Sequence, residues 1–142
     1  MIGYWDASAV VPLVVGDTKT SGLEAMRKSR TGMVTWWGTV VECASAIARM
    51  EREEDLNASE AGRAIKRLSD LRQSWAEVAP AEWLREHAVR LLRLHNLRAG
   101  DALQLAAAIL ASRNRPGSIE FVCLDKRLAL AAEREGFRVI GP

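Results

Sequence analysis

The stretch Ala102-Leu103-Gln104-Leu105-Ala106-Ala107-Ala108-Ile109-Leu110-Ala111 constrains the fold more than any other part of the chain. As a helix it is apolar almost all round, so it must be covered on several sides and belongs at the centre of a layered structure. Gln104 interrupts it, and it is far too short to span a bilayer. Around it lie short apolar runs of the kind that form buried strands: Ile2 to Trp5, Met33 to Trp36, Phe121 to Leu124 and Phe137 to Ile140, with a further short strand expected at Ala76 to Ala79. Between them the apolar residues fall at helical intervals. Ala9 to Val15 reads as a helix with Ser8 as its cap, followed by a break at Gly16-Asp17-Thr18 and a polar helix through Met26 to Arg30. Thr39 to about Glu54 and Lys126 to Glu135 read as further helices. Asn57-Ala58-Ser59-Glu60 has capping-box spacing and starts an amphipathic helix whose inner residues are Ala61, Ile65, Leu68 and Trp75. Pro80 marks another start, with Leu84, Ala88, Leu91 and His95 on the inner stripe, and Asp101 begins the apolar helix. Short, fully apolar strands joined by helices imply an α/β fold with a parallel sheet covered on both faces.

Length and composition agree. At 142 residues, with 49% hydrophobic and 27% charged residues, the chain suffices for one domain (residues 1–142) with a real core and no linker, repeat or low-complexity segment. Twenty basic against 18 acidic residues leave a net charge of +2, too little to imply nucleic-acid binding by bulk charge. Any polyanion site must come from local arrangement. Cys43 and Cys123 sit in apolar surroundings without the pairings of metal sites or disulfide frameworks, so they read as buried, reduced thiols of a cytoplasmic protein. Residues 1–6 have no basic region ahead of an apolar stretch, so no signal peptide is expected, and no membrane association.

The chemistry is suggested by where the acids fall. Asp6 and Asp125 each follow directly on an apolar strand and should project from the carboxyl edge of the sheet, where open α/β sheets bind ligands. Glu42 and Asp101 stand near helix N-termini expected at the same edge. Four carboxylates from distant segments would then share one crevice, where like charges raise each other's pKa values. A hard divalent cation, Mg²⁺ or Mn²⁺, relieves that repulsion and leaves room for a phosphate. Each acid also admits a local role. Asp101 and Gln104, and Thr39 and Glu42, have capping-box spacing; Asp125 precedes a helix, and Asp6 can form a turn with Ser8. For Glu42 alone capping is the better account, and for Asp101 the two are even; taken as a set, the shared site is the better account.

Four stretches carry a family resemblance: Tyr4-Trp5-Asp6-Ala7-Ser8-Ala9, Val41-Glu42-Cys43-Ala44-Ser45-Ala46-Ile47-Ala48-Arg49, Arg98-Ala99-Gly100-Asp101-Ala102-Leu103-Gln104-Leu105-Ala106-Ala107-Ala108, and Phe121-Val122-Cys123-Leu124-Asp125-Lys126-Arg127-Leu128. In this order and at these intervals, with the closing Gly136 to Ile140, the chain resembles the PIN-domain nucleases, and among them the VapC-like toxins of toxin–antitoxin pairs. The resemblance implies a three-layer α/β/α fold with a short, mostly parallel sheet. It also implies a Mg²⁺- or Mn²⁺-dependent endoribonuclease in which Asp6, Glu42, Asp101 and Asp125 bind metal and Ser8 supports the metal or its waters. The family often has Thr or Ser two residues before the last acid; Cys123 stands here instead. Implied partners are an RNA substrate, a cognate antitoxin and a second copy of the chain in a homodimer.

Other residues carry alternatives. Arg49 lies two helical turns after Glu42, on one face with it, and either helps hold the acids or a phosphate or is an ordinary surface arginine. Arg113, Arg115, Lys126 and Arg127 flank the last two acids in sequence and are candidates for gripping RNA phosphates, against a plain solvated surface. Of the adjacent Trp36 and Trp37, one exposed ring would be an antitoxin or RNA contact, while packing of both in the core is the slightly favoured alternative. Trp75 and Trp83 read as core. His87 and His95 have no ligand spacing to any acid. The competing functions are a PIN-fold module that binds RNA or protein without catalysis, and a receiver-like Mg²⁺-binding domain, disfavoured because Ala7 and Ser8 follow Asp6 where a receiver needs a second acid.

Overall fold

The computed structural model describes residues 1–16 and 21–141. Its five strands are β1 (Gly3–Trp5), β2 (Met33–Trp36), β3 (Ala76–Val78), β4 (Glu120–Val122) and β5 (Arg138–Ile140), and its helices are α1 (Ala7–Val15), α2 (Ser21–Ser29), α3 (Thr39–Arg52), α4 (Ala58–Arg72), α5 (Glu82–Leu94), α6 (Ala99–Ala111) and α7 (Lys126–Arg134). The strands pair in the order β3-β2-β1-β4-β5, and every pairing is parallel. Among the described residues no helix is long and apolar enough to cross a membrane.

Side chains on successive strand positions point to opposite faces, and two cores follow from that alternation. Tyr4, Trp36 and Phe121 face the layer of α5, α6 and α7, while Trp5, Met33 and Val122 face α1, α3 and α4. The apolar helix α6 is central as its composition demands, with Ala102, Leu105, Ala106, Ala107 and Ala108 fully buried. Tyr4 stacks on Phe121, their ring centroids 5.4 Å apart. Each fully buried Leu, Ile or Phe contributes roughly 1.5–3 kcal/mol. Glu120, the acid that opens β4, is buried but paired with Arg30 at 2.7 Å.

Connections through α1–α2 and α3–α4 run on one face, and those through α5–α6 and α7 on the other. The winding therefore reverses between β1 and β4, and a crevice opens beyond their carboxyl ends. Asp6 leaves β1 there, and Asp125 closes the loop that leaves β4.

The local details depart from expectation in several places. Asp6, not Ser8, caps α1, accepting from the Ser8 amide at 3.1 Å. Gly16 ends α1 with φ 74°, the left-handed geometry that glycine supplies at a helix C-terminus; Asp17 and Thr18 of the expected break lie outside the described residues. The capping box of α4 forms in full between Asn57 and Glu60. Its inner stripe, however, is Ala61, Ala64 and Leu68: Ile65 is exposed, and Trp75 packs beyond the helix end. Helix α6 begins one turn early, at Ala99 with Arg98 as cap, so Asp101 is a third-position residue and not a cap. Trp83 is only partly buried and stacks on His87 at 3.8 Å.

Candidate active site

Four carboxylates from four elements come near one another at this edge, Glu42, Asp101 and Asp125 lining its cavities and Asp6 buried and lining neither. Asp6 is 4% exposed, and burial raises its pKa first, with the charge of Asp101 adding to it; hydrogen bonds at Ser8 pull the other way. Glu42, on the first turn of α3, is pushed up to about 7 by burial and then by the charges of Asp6 and Asp101. Asp101 is raised by burial and by Asp125, and is partly relieved by the Arg98 amide and the charges of Arg127 and Arg98. The four therefore form an electrostatic chain, Glu42–Asp6–Asp101–Asp125. Glu42 and Asp101 line one cavity of about 880 Å³, and Asp101 and Asp125 line a second of about 370 Å³. Among the described residues, no three acidic, His or Cys side chains are gathered closely enough to form a ready-made metal cage.

The capping roles open to these acids resolve unequally. Asp6 and Asp125 do cap: Asp125 accepts from the amides of Arg127 and Leu128 at 2.9 and 3.2 Å, which fixes its carboxylate at the start of α7. Glu42 makes no capping box. Helix α3 starts from Gly38 without a side-chain cap, and Thr39 Oγ1 instead accepts from the Trp36 amide at 3.2 Å. What Glu42 accepts is a bond from Gln104 Nε2 at 3.1 Å.

Gln104 is the organising residue that composition hides. Fully buried on α6, it donates to Thr39 Oγ1 at 3.0 Å and to Glu42 Oε1 at 3.1 Å, and it accepts from the Tyr4 hydroxyl at 2.5 Å. One amide thus ties β1, α3 and α6 together directly beneath the acids. Desolvation, with Asp6, Glu42 and Cys123 nearby, raises Tyr4 well above the ordinary range, so it stays a neutral donor. A sequence signal for Gln104 existed, since one polar residue in an otherwise apolar central helix needs buried partners. Gln104→Leu leaves the Tyr4 hydroxyl unpartnered and is expected to cost about 1–3 kcal/mol in chemical denaturation. Adding Tyr4→Phe should recover part of that loss, because both polar groups are then gone. Strictly additive losses would show that the two side chains are not coupled.

Ser8 serves both exits of the crevice. Its Oγ accepts from the Leu124 amide at 2.9 Å and lies 3.6 Å from Cys123 Sγ, tying the loop after β1 to the loop after β4. Burial, then Asp6, pushes the Cys123 thiol up to about 12, so it is a neutral, weak donor between Asp6 Oδ2 at 3.7 Å and the Asp125 carbonyl at 3.4 Å. Cys43 is equally buried and free.

The cations sort by position. Arg49 lines the larger cavity beside Glu42, Lys126 and Arg127 line the smaller, and Arg98, which sequence reasoning passed over, lines both. None of the ion pairs among the described residues uses these four. Arg113 and Arg115 do not flank the acids. Helix α6 carries the chain roughly 15 Å from Asp101 before they occur, so they leave the candidate RNA surface. Trp36 is buried, but Trp37 is 54% exposed and lines the larger cavity, against the expectation that both pack in the core. His95 pairs with Glu135 at 2.6 Å, and neither histidine lines these cavities.

No protein-family model matches the chain. Two curated relatives, ribonuclease VapC45 of Mycobacterium tuberculosis strain CDC 1551 / Oshkosh and ribonuclease VapC49 of strain H37Rv, are each 33% identical over 139 residues, covering 96% of this chain and 92% of theirs. Among solved structures, PAE2754 from Pyrobaculum aerophilum superposes with TM-score 0.69 at 19% identity, covering 99% of this chain and 89% of that one. A chain of VapBC2 from Rickettsia felis, bound to a DNA fragment from their promoter, gives 0.65 at 11% identity over 100% and 99%. A toxin–antitoxin complex from Klebsiella pneumoniae gives 0.62 at 16% over 89% and 90%. At these identities the structures establish the shared fold, and the relatives establish the lineage.

Proposed function

The chain belongs to the VapC ribonucleases, of PIN-domain fold, and from that membership we propose that it is a toxin endoribonuclease that hydrolyses RNA with a divalent cation, held in check by a cognate antitoxin. The observation carrying the cation is the donor set. Asp6, Glu42 and Asp101 are raised by burial and by neighbouring carboxylate charge, that of Asp125 among them, and the side chains offered there are oxygen donors apart from the neutral Cys123 thiol. An open set suits Mg²⁺, which keeps several waters and takes only one or two carboxylates together with substrate phosphate, better than it suits a metal needing a closed cage. Asp6 and Asp101 would hold the ion, with Glu42 and Asp125 binding it or its waters. When bound, it supplies a Lewis acid and lowers the pKa of a coordinated water.

The chain's own residues do the rest. Gln104 and the two helix caps hold the acids in place before substrate arrives, so little reorganisation is needed at reaction. Glu42, held by Gln104 in the same cavity as Asp101, is placed to take a proton from an attacking water. Arg98, Lys126 and Arg127 offer guanidinium and ammonium donors to the RNA backbone beside Asp101 and Asp125. The antitoxin follows from the complexes that share this fold, the Klebsiella pneumoniae toxin–antitoxin pair among them. The homodimer and the cytoplasmic setting complete the proposal; light scattering on the purified chain tests the first.

The deciding experiment is induced expression in a bacterial host, together with incubation of the purified chain with total RNA. Growth arrest, and cleavage that needs Mg²⁺ or Mn²⁺ and stops in EDTA, are expected. Cleavage undiminished in EDTA would remove the metal. A harmless chain, free of any co-purified protein and inactive with both ions, would leave only a binding module.

A further inference from the structure

We propose that Trp37 is a stacking shelf for an unpaired RNA base beside the scissile phosphodiester, and that it confines the enzyme to single-stranded or looped RNA. This rests on the ribonuclease reading above. The chain puts two tryptophans in succession and treats them oppositely. Trp36 folds inward, 8% exposed, while Trp37 keeps 54% of its surface open in the same cavity as Glu42 and Asp101.

The exposed ring is not loose. The Trp37 amide donates to the Val78 carbonyl at 3.0 Å, extending the β2–β3 ladder by one residue, and its indole meets Trp36 edge-on at 6.3 Å and 67°. Gly38 follows because a Cβ there would collide with the Trp36 indole. The turn is therefore built so that Trp36 lies beneath it and Trp37 stands at the rim. A large rigid aromatic left half in water forgoes burial it could have had, which marks it as a surface for something planar or apolar.

Its neighbours select which. Val11, Pro12, Val41 and Met50 give the cavity apolar walls, but Arg49 and Arg98 also line it, so cationic donors share the cavity with the shelf, and Arg98 and Asp101 continue into the smaller cavity with Lys126 and Arg127. Aromatic face, cations and acids in one continuous path match a nucleic-acid strand: base on the ring, flanking phosphates on the cations, reacting phosphate at the acids. A base inside a duplex already stacks on both sides and has no face to offer, so the shelf discriminates by strandedness and not by sequence.

The test measures binding apart from cutting. In an Asp101→Asn background with Mg²⁺, short mixed-sequence single-stranded oligoribonucleotides and a perfectly paired RNA duplex are titrated against Trp37, Trp37→Ala and Trp37→Phe. Alanine is expected to weaken single-strand binding about tenfold or more and phenylalanine to retain most of it, with duplex binding equal in all three. Circular dichroism checks that each variant is folded. In the Asp101-intact protein the same alanine variant should lose kcat/KM chiefly through KM. Single-strand binding that ignores the alanine substitution overturns the proposal, and so does a loss shared equally by duplex. If alanine spares RNA and instead releases a bound protein partner, the shelf belongs to that protein. A chain whose RNA binding depends on Trp37 but that never cuts would keep the shelf and lose the hydrolase; cutting indifferent to Trp37 would do the reverse.

Discussion

Replacing Asp6 with Asn is expected to silence the enzyme and, in metal-free buffer at neutral pH, to make its fold more stable. The two effects have one cause. Asp6 is buried at the exit of β1, and its charge is burdened by burial and by Asp101. Asparagine has the same shape and keeps an oxygen to accept from the Ser8 amide, so the cap of α1 survives. What disappears is the charge that a cation would use. Activity should fall by at least about 10²–10³-fold, the scale of removing one preorganised electrostatic stabiliser. Stability in EDTA should rise by on the order of 1 kcal/mol, the size of many changes that relieve a strained active site, or a few degrees in Tm. Single-turnover cleavage and thermal melts on one preparation measure both. A variant with near-normal activity would remove Asp6 from the site. A lower Tm in EDTA would mean that the crevice supports the Asp6 charge and is not strained by it.

The architecture was legible because strand and helix periods differ and because a helix like α6 has only one place to go. Asp6 and Asp125 were legible for a related reason: an acid directly after an apolar strand of a parallel sheet has to emerge at the carboxyl edge. The same residues also cap α1 and α7, so weighing capping against site posed a choice that the chain does not make. A capped carboxylate is a held carboxylate, and a site gains from both.

What stayed hidden depends on distance through space. Glu42 and Thr39 have capping-box spacing, yet the bond goes to Gln104, 62 residues away, and no local pattern encodes that. The sequence places the start of α6 at Asp101, whereas the helix begins at Ala99. Arg113 and Arg115 were grouped with the acids by sequence proximity, which a 13-residue helix undoes. Arg98 precedes the helix start and was seen only as part of a motif, though it faces both cavities. For Trp37 the sequence leaves two places open, an exposed contact and the slightly favoured core, and the structure takes the exposed one. The decisive detail, Gly38 making room for Trp36 beneath the turn, needs coordinates.

The pH dependence of stability should reverse with the cation. Without metal, Glu42 titrates at about 7 in the fold against 4.5 for the free side chain, and Asp6 and Asp101 are also raised. Between those limits the folded chain binds more protons than the unfolded one, so unfolding free energy falls as pH rises. For Glu42 the stabilisation is complete below about pH 4.5 and is lost as the pH passes 7, and Asp6 and Asp101 act with the same sign. Glu42 alone accounts for on the order of 2 kcal/mol, after discounting for solvent at the open mouth. Glu24 has the opposite sign, since hydrogen bonding to Arg27 lowers it, but it acts only below the ordinary carboxylate range and leaves a window above about pH 5 undisturbed. A divalent ion binds the deprotonated carboxylates, so its stabilisation grows over the same interval in which the apo protein weakens. At a hundredfold excess over Kd the gain is about 2.7 kcal/mol, enough to overturn the slope. Melts from about pH 5 to 8 should give a falling Tm in EDTA, a flat or rising Tm in Mg²⁺ or Mn²⁺, and a gap that widens with pH. Glu42→Gln should flatten most of the EDTA curve. An EDTA curve that climbs with pH would contradict the raised carboxylates, and a gap of constant width would mean that the ion binds somewhere other than among them.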